Sequence, residues 1–236
     1  MHRSHHQLRF LTLLSSFCLL AALFGLAGQP VLGKFDLQLS NEIVQVFSLD
    51  LPAGSHVRLR QNIYDVIVIA LEDSTLTLVP AEGAGNDLQL NSGDVRILPK
   101  LTVNELANNT AVKSRFVIVA LKSHGIETGE CGCSGEVEKS ICGCTARHLP
   151  RLWAFSIGGS TLAGVSLNAG QDFAGASYRE DSLLVALTPL RLLDERASGP
   201  ESLLSLAPGE AKWLPQGQRQ FKNVGSTAAR FITIEF

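Results

Sequence analysis

The sequence repeats itself at an offset of about 116 residues, and this repeat constrains the fold more than any other feature. The matching segments are Leu51-Pro-Ala-Gly54 with Leu167-Asn-Ala-Gly170, Asp65–Leu71 with Asp181–Leu187, and Gly93–Pro99 with Gly209–Pro215. Asn108 matches Asn223 at an offset one residue shorter, so one residue is missing between Pro215 and Asn223. The chain is therefore predicted to be a tandem duplication of one small domain.

Each copy has the sequence pattern of short β-strands. Apolar runs rich in Val, Ile and Leu recur every eight to twelve residues, separated by Gly, Pro, Asn and Asp. In the first copy these runs lie near residues 43–49, 56–60, 65–71, 75–79, 88–90, 94–98, 103–107 and 115–121. No stretch after residue 34 sustains a helical period. Many short strands in a small domain favour a barrel or jelly roll, which leaves few exposed sheet edges.

The repeated glycines and prolines resemble the two sequence motifs of the cupin superfamily. The glycines that open the first motif are Gly54 and Gly170, those that open the second are Gly93 and Gly209, and the closing asparagines are Asn108 and Asn223. Pro99 and Pro215 take the place of the proline in the second motif. The resemblance covers roughly residues 36–122 and 151–236. It implies an all-β fold of two tandem cupin (jelly-roll-type) barrels, which is a bicupin.

The resemblance also locates the positions at which cupins hold a metal ion through histidine and glutamate. In the first copy these positions fall on Arg60, Asn62, Val66 or Ile67, and Asn104. In the second copy they fall on Ala176, Tyr178, Ser182 or Leu183, and Gln220 or Arg219. These residues lack the imidazole and carboxylate groups that bind divalent metals, and arginine has no lone pair to offer. We therefore expect no metal or other cofactor in either barrel.

A polar set in the first copy is the candidate ligand-binding site. Arg58, Arg60 and Asn62 share one face of a strand, and the resemblance brings Asn104 close to them. If this face points into the barrel, its guanidinium and amide groups suit a carboxylate or phosphate. The alternative is that the arginines are solvated at the barrel rim or paired with nearby acidic residues. The second copy shows no comparable set, so the first barrel is the preferred site.

The segment 123–150 has no counterpart in the repeat and is predicted to be a linker. It contains four cysteines, Cys131, Cys133, Cys142 and Cys144. Nested disulfides, Cys131 with Cys144 and Cys133 with Cys142, would stabilise the segment by about 2–3 kcal/mol. The alternative is a four-thiolate zinc site with His124 and His148 as further ligands.

The first 33 residues have the pattern of a secretory signal peptide. Arg3 and Arg9 precede an uncharged apolar run from Phe10 to Leu26, and small residues follow. The chain is therefore expected to be exported, to the periplasm or beyond, which is the oxidising compartment that disulfides require. The alternative is an uncleaved membrane anchor, because about seventeen apolar residues barely suffice to span a bilayer.

Three functional hypotheses remain open at this point. We favour a non-enzymatic binding or structural protein that holds a small, anionic ligand. The second hypothesis is a metal-independent isomerase or epimerase that uses Tyr64, Glu105, Tyr178 and Glu180 for proton transfer. The third is metal binding by the linker cysteines. Nucleic acid is not an expected partner, because 20 basic residues against 22 acidic ones create no basic field. A homodimer is left open, as is packing of the two copies on each other.

Overall fold

The fold is all-β, as the sequence pattern predicts. The computed structural model describes residues 32–60, 63–122, 137–138, 145–146, 152–157, 160–173, 177–178, 181–196 and 200–236. Every regular element in these ranges is a β-strand. In the same ranges no helix has the length and apolar character needed to cross a membrane.

The first repeat forms two antiparallel sheets. Its strands are β1 (Lys34–Ser40), β2 (Val44–Leu51), β3 (Ser55–Arg58), β4 (Asp65–Ala70), β5 (Ser74–Val79), β6 (Asn86–Leu90), β7 (Val95–Leu98), β8 (Glu105–Asn108) and β9 (Ser114–Leu121). One sheet has the order β1-β2-β9-β4-β7, and the other has the order β3-β8-β5-β6. The predicted runs match β2 to β9 within a few residues, whereas β1 was not predicted.

The second repeat has the same strand order. A pair of two-residue strands, β10 (Val137–Glu138) and β11 (Thr145–Ala146), precedes it. Its strands are β12 (Leu152–Ile157), β13 (Ser160–Leu167), β14 (Asp172–Phe173), β15 (Ser177–Tyr178), β16 (Ser182–Ala186), β17 (Leu190–Arg196), β18 (Ser202–Leu206), β19 (Ala211–Leu214), β20 (Gly217–Asn223) and β21 (Ala229–Glu235). The sheets run β12-β13-β21-β16-β19 and β14-β20-β17-β18, and β15 also pairs with β20. The duplication seen in the sequence is thus a duplication of topology.

Two equivalent asparagines fix the alignment of the repeats. Asn108 Nδ2 donates to the carbonyl oxygens of Leu51 and Val112 at 2.9 and 2.7 Å. Asn223 Nδ2 donates to the equivalent carbonyl oxygens in the second repeat, those of Leu167 and Thr227, at 3.0 and 2.8 Å. Both asparagines are buried. Counting back along the strand from each asparagine therefore aligns Asn104 with Arg219, which decides between Arg219 and Gln220 at that motif position.

The central strands of each five-stranded sheet are buried on both faces. In β4, the side chains of Val66, Val68 and Ala70 belong to the core inside the first barrel. The alternate residues Ile67 and Ile69 belong to a different core, which also contains residues of the second repeat. This division follows from the two-residue period of a strand. It explains why β4 is apolar from Val66 to Ala70 and does not alternate between polar and apolar residues.

The two barrels pack on each other through these outer faces. The shared core contains the following buried residues: Val44, Val46, Ile67, Ile69, Val95, Val117, Val119 and Leu121 from the first repeat, and Leu162, Leu183, Val185, Leu187, Ile232, Ile234 and Phe236 from the second. All of them are less than one-tenth exposed. The two copies therefore form an internal dimer.

Two equivalent glycines permit this close packing. Gly93 and Gly209 adopt φ values of 91° and 87°, in the left-handed region that favours glycine. A Cβ atom on Gly209 would lie 2.8 Å from Leu71 Cδ1, across the barrel interface. A Cβ on Gly93 would lie 3.0 Å from Leu187 Cδ1. Each glycine therefore serves both a tight turn and a barrel-to-barrel contact.

Candidate ligand-binding site in the second barrel

The arginines of the predicted site lie on the outside of the first barrel. Arg58 ends β3 and Arg60 follows it, and both are exposed. Leu59, between them, is buried in the interior core. Just after the end of β3, Leu59 turns inward while its two neighbours are exposed. Arg58 and Arg60 therefore do not join this core, Asn62 lies outside the described residues, and the anion site of the first barrel stays a prediction.

The same end of the first barrel is packed with apolar side chains. Leu59, Val66, Leu98 and Val103 are buried there in one core. Asn104 is half-buried, and its carbonyl oxygen accepts a hydrogen bond from the Leu59 amide at 2.8 Å. An interior of this kind offers a ligand few polar groups.

The second barrel carries polar residues where the first is mostly apolar. The equivalent interior positions are Val66 and Ser182, Leu78 and Asp194, Asn104 and Arg219, Ile118 and Thr233, and Ala120 and Glu235. The second-barrel residues alternate along their strands with the shared core and lie on the face of the interior core residues Leu184, Leu192, Phe221 and Phe231. Thr161 joins them, because it is the cross-strand partner of Glu235.

These polar residues lie at one end of the barrel. In the large sheet, Glu235 pairs with Thr161 on one side and with Ser182 on the other. In the small sheet, Asp194 pairs with Phe221, one inward position from Arg219. This end is opposite to the one where Asn223 bonds to Leu167. We call it the polar end, defined by Thr161, Ser182, Asp194, Arg219, Thr233 and Glu235.

A buried ion pair is the main feature of the polar end. Arg219 Nη1 lies 2.6 Å from Asp194 Oδ2, and the two side chains are 2% and 4% exposed. Arg219 Nη2 also donates to the carbonyl oxygen of Pro215 at 2.8 Å. Arg196, at the rim, approaches the same Asp194 oxygen with its Nε at 3.3 Å. One carboxylate oxygen therefore carries both guanidinium contacts.

Three other buried polar atoms at this end are unpaired. Ser182 Oγ, Asp194 Oδ1 and Arg219 Nε have no hydrogen-bond partner among the residues that the structure describes. A buried polar atom without a partner costs about 1–3 kcal/mol, so such atoms are rare in native proteins and need an explanation. Three of them lie at one end of one barrel, which makes this end the candidate site for a ligand with polar groups.

The residues at the motif positions do not fit a metal ion. Arg219 takes the place of a histidine and is engaged by Asp194, and a guanidinium cannot ligate a metal. Gln220 points to the other face of β20, Ala176 lies outside the described residues, and only the backbone of Tyr178 is described. Nowhere in the described ranges do three His, Cys, Asp or Glu residues come close enough to hold a metal. The four cysteines lie outside these ranges, so the disulfide and zinc hypotheses remain predictions.

A groove also lies between the two barrels. It has a volume of about 660 Å³ and lies between β1, β2 and the turn before β19. Its charged side chains already bind other protein groups: Lys113 pairs with Asp50 at 2.7 Å, and Glu210 accepts a backbone amide. Gln38 bridges the barrels by donating to the Gly209 carbonyl oxygen at 2.7 Å. The groove therefore has the character of a structural contact.

The comparisons with known proteins support the fold. No family model matches the sequence, and neither does any curated protein. Among solved structures, AerE from Microcystis aeruginosa superimposes with a TM-score of 0.63 at 9% identity, over 89% of this chain and 94% of that chain. Oxalate decarboxylase from Bacillus subtilis, a bicupin, gives a TM-score of 0.57 at 11% identity, over 89% and 78%. A putative glyoxylate-induced protein from Pseudomonas aeruginosa gives 0.58 at 12%, over 86% and 78%. The chain therefore has the cupin fold, built twice in tandem as a bicupin.

Proposed function

We propose that this bicupin is a non-enzymatic binding protein that holds a small molecule at the polar end of its second barrel, without a barrel metal. The observation that carries the proposal is the buried Asp194–Arg219 pair, which has an unpartnered polar atom on each side chain. The sequence favoured a ligand site in the first barrel. We place the site in the second barrel instead, because Arg58 and Arg60 of the first barrel are exposed.

Binding is a better match to this chemistry than catalysis. A guanidinium stays protonated near neutral pH and therefore cannot serve as a general acid or base. Tyr64, one of the residues considered for proton transfer, packs against the apolar core of the first barrel. Glu180 lies outside the described residues, as does the side chain of Tyr178. The isomerase or epimerase hypothesis therefore gains no support from the geometry.

Export of the protein is part of the same proposal. It is supported by the sequence of residues 1–33 and by the four cysteines of the linker. Fractionation of the producing cells, with mass spectrometry of the mature N-terminus, tests it. Recovery of an unprocessed chain from the cytoplasm would contradict export and leave the barrel proposal standing.

Metal content tests the absence of a barrel metal. The protein is incubated with Mn²⁺, Fe²⁺ or Zn²⁺, desalted and analysed by elemental mass spectrometry. A variant with all four cysteines changed to serine separates the linker from the barrels. We expect no stoichiometric metal in that variant. One metal ion per chain in it would contradict the proposal.

Protein-observed NMR tests the location of binding. A panel of small polar molecules is titrated into ¹⁵N-labelled protein, and the perturbed amides are mapped. We expect the shifts to concentrate in β16, β20 and β21, and to weaken in Ser182→Val, which copies Val66 of the first barrel. Val66→Ser is the matched control and should leave the binding unchanged. Shifts confined to β4, β8 and β9 would place the site in the first barrel and contradict the proposal.

A further inference from the structure

The charges at the polar end balance each other. Asp194 and Arg219 form a direct ion pair, Arg196 reaches the same carboxylate from the rim, and Glu235 faces this end from the large sheet. These are two acidic and two basic groups. An anionic ligand would therefore find no net positive field here, in contrast to a site with unpaired arginines.

The three unpartnered atoms are satisfied by a ligand that both donates and accepts hydrogen bonds. Asp194 Oδ1 only accepts, Arg219 Nε–H only donates, and Ser182 Oγ can do either. An ionised carboxylate ligand only accepts hydrogen bonds, so it would be repelled by Asp194 Oδ1, and a phosphate would be repelled there by its negative charge. An ammonium ligand only donates, so it would be opposed by Arg219 Nε–H. A hydroxyl group does both.

Several hydroxyl groups on one molecule match this arrangement. Asp194 Oδ1 and Arg219 Nε lie on side chains joined by a 2.6 Å ion pair, so an acceptor and a donor occur at the same end of the barrel. Hydrogen bonds to charged groups are worth about twice those between neutral groups, so hydroxyl contacts to these two atoms carry most of the binding. Ser182 adds a third contact from the opposite sheet.

We propose that the polar end binds an uncharged polyhydroxyl compound, a sugar or polyol, through Asp194 Oδ1, Arg219 Nε and Ser182 Oγ. This inference rests on the proposed binding function and adds the chemical class of the ligand. Asp194 and Arg219 act as binding groups, and no bond in the ligand is made or broken.

The experiment follows the side-chain Nε–H resonance of Arg219 by NMR in the full chain. Arg219→Lys assigns this resonance by removing it. The uncharged probes are glycerol, D-glucose, D-mannose and myo-inositol. The charged probes are acetate, inorganic phosphate and methylammonium, added at constant ionic strength. We expect at least one uncharged probe, and none of the charged ones, to shift the Arg219 Nε–H signal.

Substitutions test whether the uncharged probe contacts Ser182. Ser182→Val should weaken the affinity for the uncharged probe about fivefold, the loss that corresponds to one hydrogen bond. Val66→Ser, at the equivalent position of the first barrel, should leave it unchanged. If acetate or phosphate shifts the resonance and the polyols do not, the site binds a ligand but the inferred class is wrong. If no probe shifts either the Arg219 Nε–H resonance or the backbone amides of the polar end, the binding function and the inference fail together.

Discussion

The buried pair of Asp194 and Arg219 leads to the most detailed prediction. Arg219→Met removes one partner and leaves the other in a place where its side chain is 4% exposed. Removing one member of a buried ion pair typically costs about 3–5 kcal/mol, because the remaining charge is uncompensated. Arg196 stays 3.3 Å from the same oxygen, so we expect the lower end of this range, about 3 kcal/mol.

The double variant should recover most of this loss. Asp194→Leu copies Leu78 of the first barrel, and together with Arg219→Met it replaces both charges by apolar groups. Such replacements are often neutral or stabilising. We expect the double variant within about 1 kcal/mol of the wild type, with a coupling energy of at least about 2 kcal/mol between the two sites.

Urea unfolding at equilibrium measures these differences, with the slope of the transition held in common when midpoints are compared. The matched control is the exposed pair of Lys113 and Asp50, whose side chains are 51% and 48% exposed. Its coupling should be about 0–1 kcal/mol. A cost below about 1 kcal/mol for Arg219→Met, or strictly additive effects, would refute the reasoning that the pair is buried and mutually compensating.

Three further predictions concern the scaffold and are measured by the same urea midpoints. Gly209→Ala should destabilise the chain by about 2–4 kcal/mol, because φ is 87° and the new Cβ would lie 2.8 Å from Leu71 Cδ1. Leu101→Gly should stabilise it by about 0.5–1 kcal/mol, since Leu101 has a φ of 62° and a left-handed side-chain residue is strained by more than glycine loses in entropy. Asn223→Ala should destabilise it by about 2–4 kcal/mol, because the carbonyl oxygens of Leu167, which is buried, and of Thr227 lose their donor.

Each of the three has a control. Gly170→Ala shares the positive φ, at 76°, but a Cβ there would contact nothing within 4 Å, so it should cost less than Gly209→Ala. Equal costs would mean that the contact with Leu71 is unimportant. Leu101→Ala keeps the strain and should bring no gain in stability. Asn108→Ala should lose about as much as Asn223→Ala, and a large difference would contradict the equivalence of the two repeats.

The fold could be predicted from the sequence because two signals were visible in it: the apolar runs of the strands and the recurrence of these runs in the second copy. Strands β4 and β9 contain uninterrupted apolar runs, at residues 66–70 and 116–121, and the repeat made each of them visible twice. β1 was missed although Phe35, Leu37 and Leu39 alternate along it, since its side chains are mostly exposed or half-buried. The repeat of Gly93 as Gly209 corresponds to a positive φ at the same place in both copies.

The candidate site could not be predicted from the sequence in the same way. Spacing from Gly54 located Arg58 and Arg60 but not the face on which they lie, and the burial of Leu59 decides that face. Arg219 was identified as a motif position, but its role depends on Asp194, which lies 25 residues away on another strand. The available signal was a difference between the copies: Ser182, Asp194 and Glu235 are polar where the first repeat is apolar.

An anomalous diffraction experiment on crystals of the purified protein, grown with Mn²⁺ and with a polyol probe, tests the central claim most directly. The account predicts no anomalous peak inside either barrel, the Arg219 guanidinium on Asp194, and density for polyol hydroxyl groups beside Asp194 Oδ1, Arg219 Nε and Ser182 Oγ. A metal peak inside a barrel, or an Arg219 side chain turned out to solvent, would contradict it.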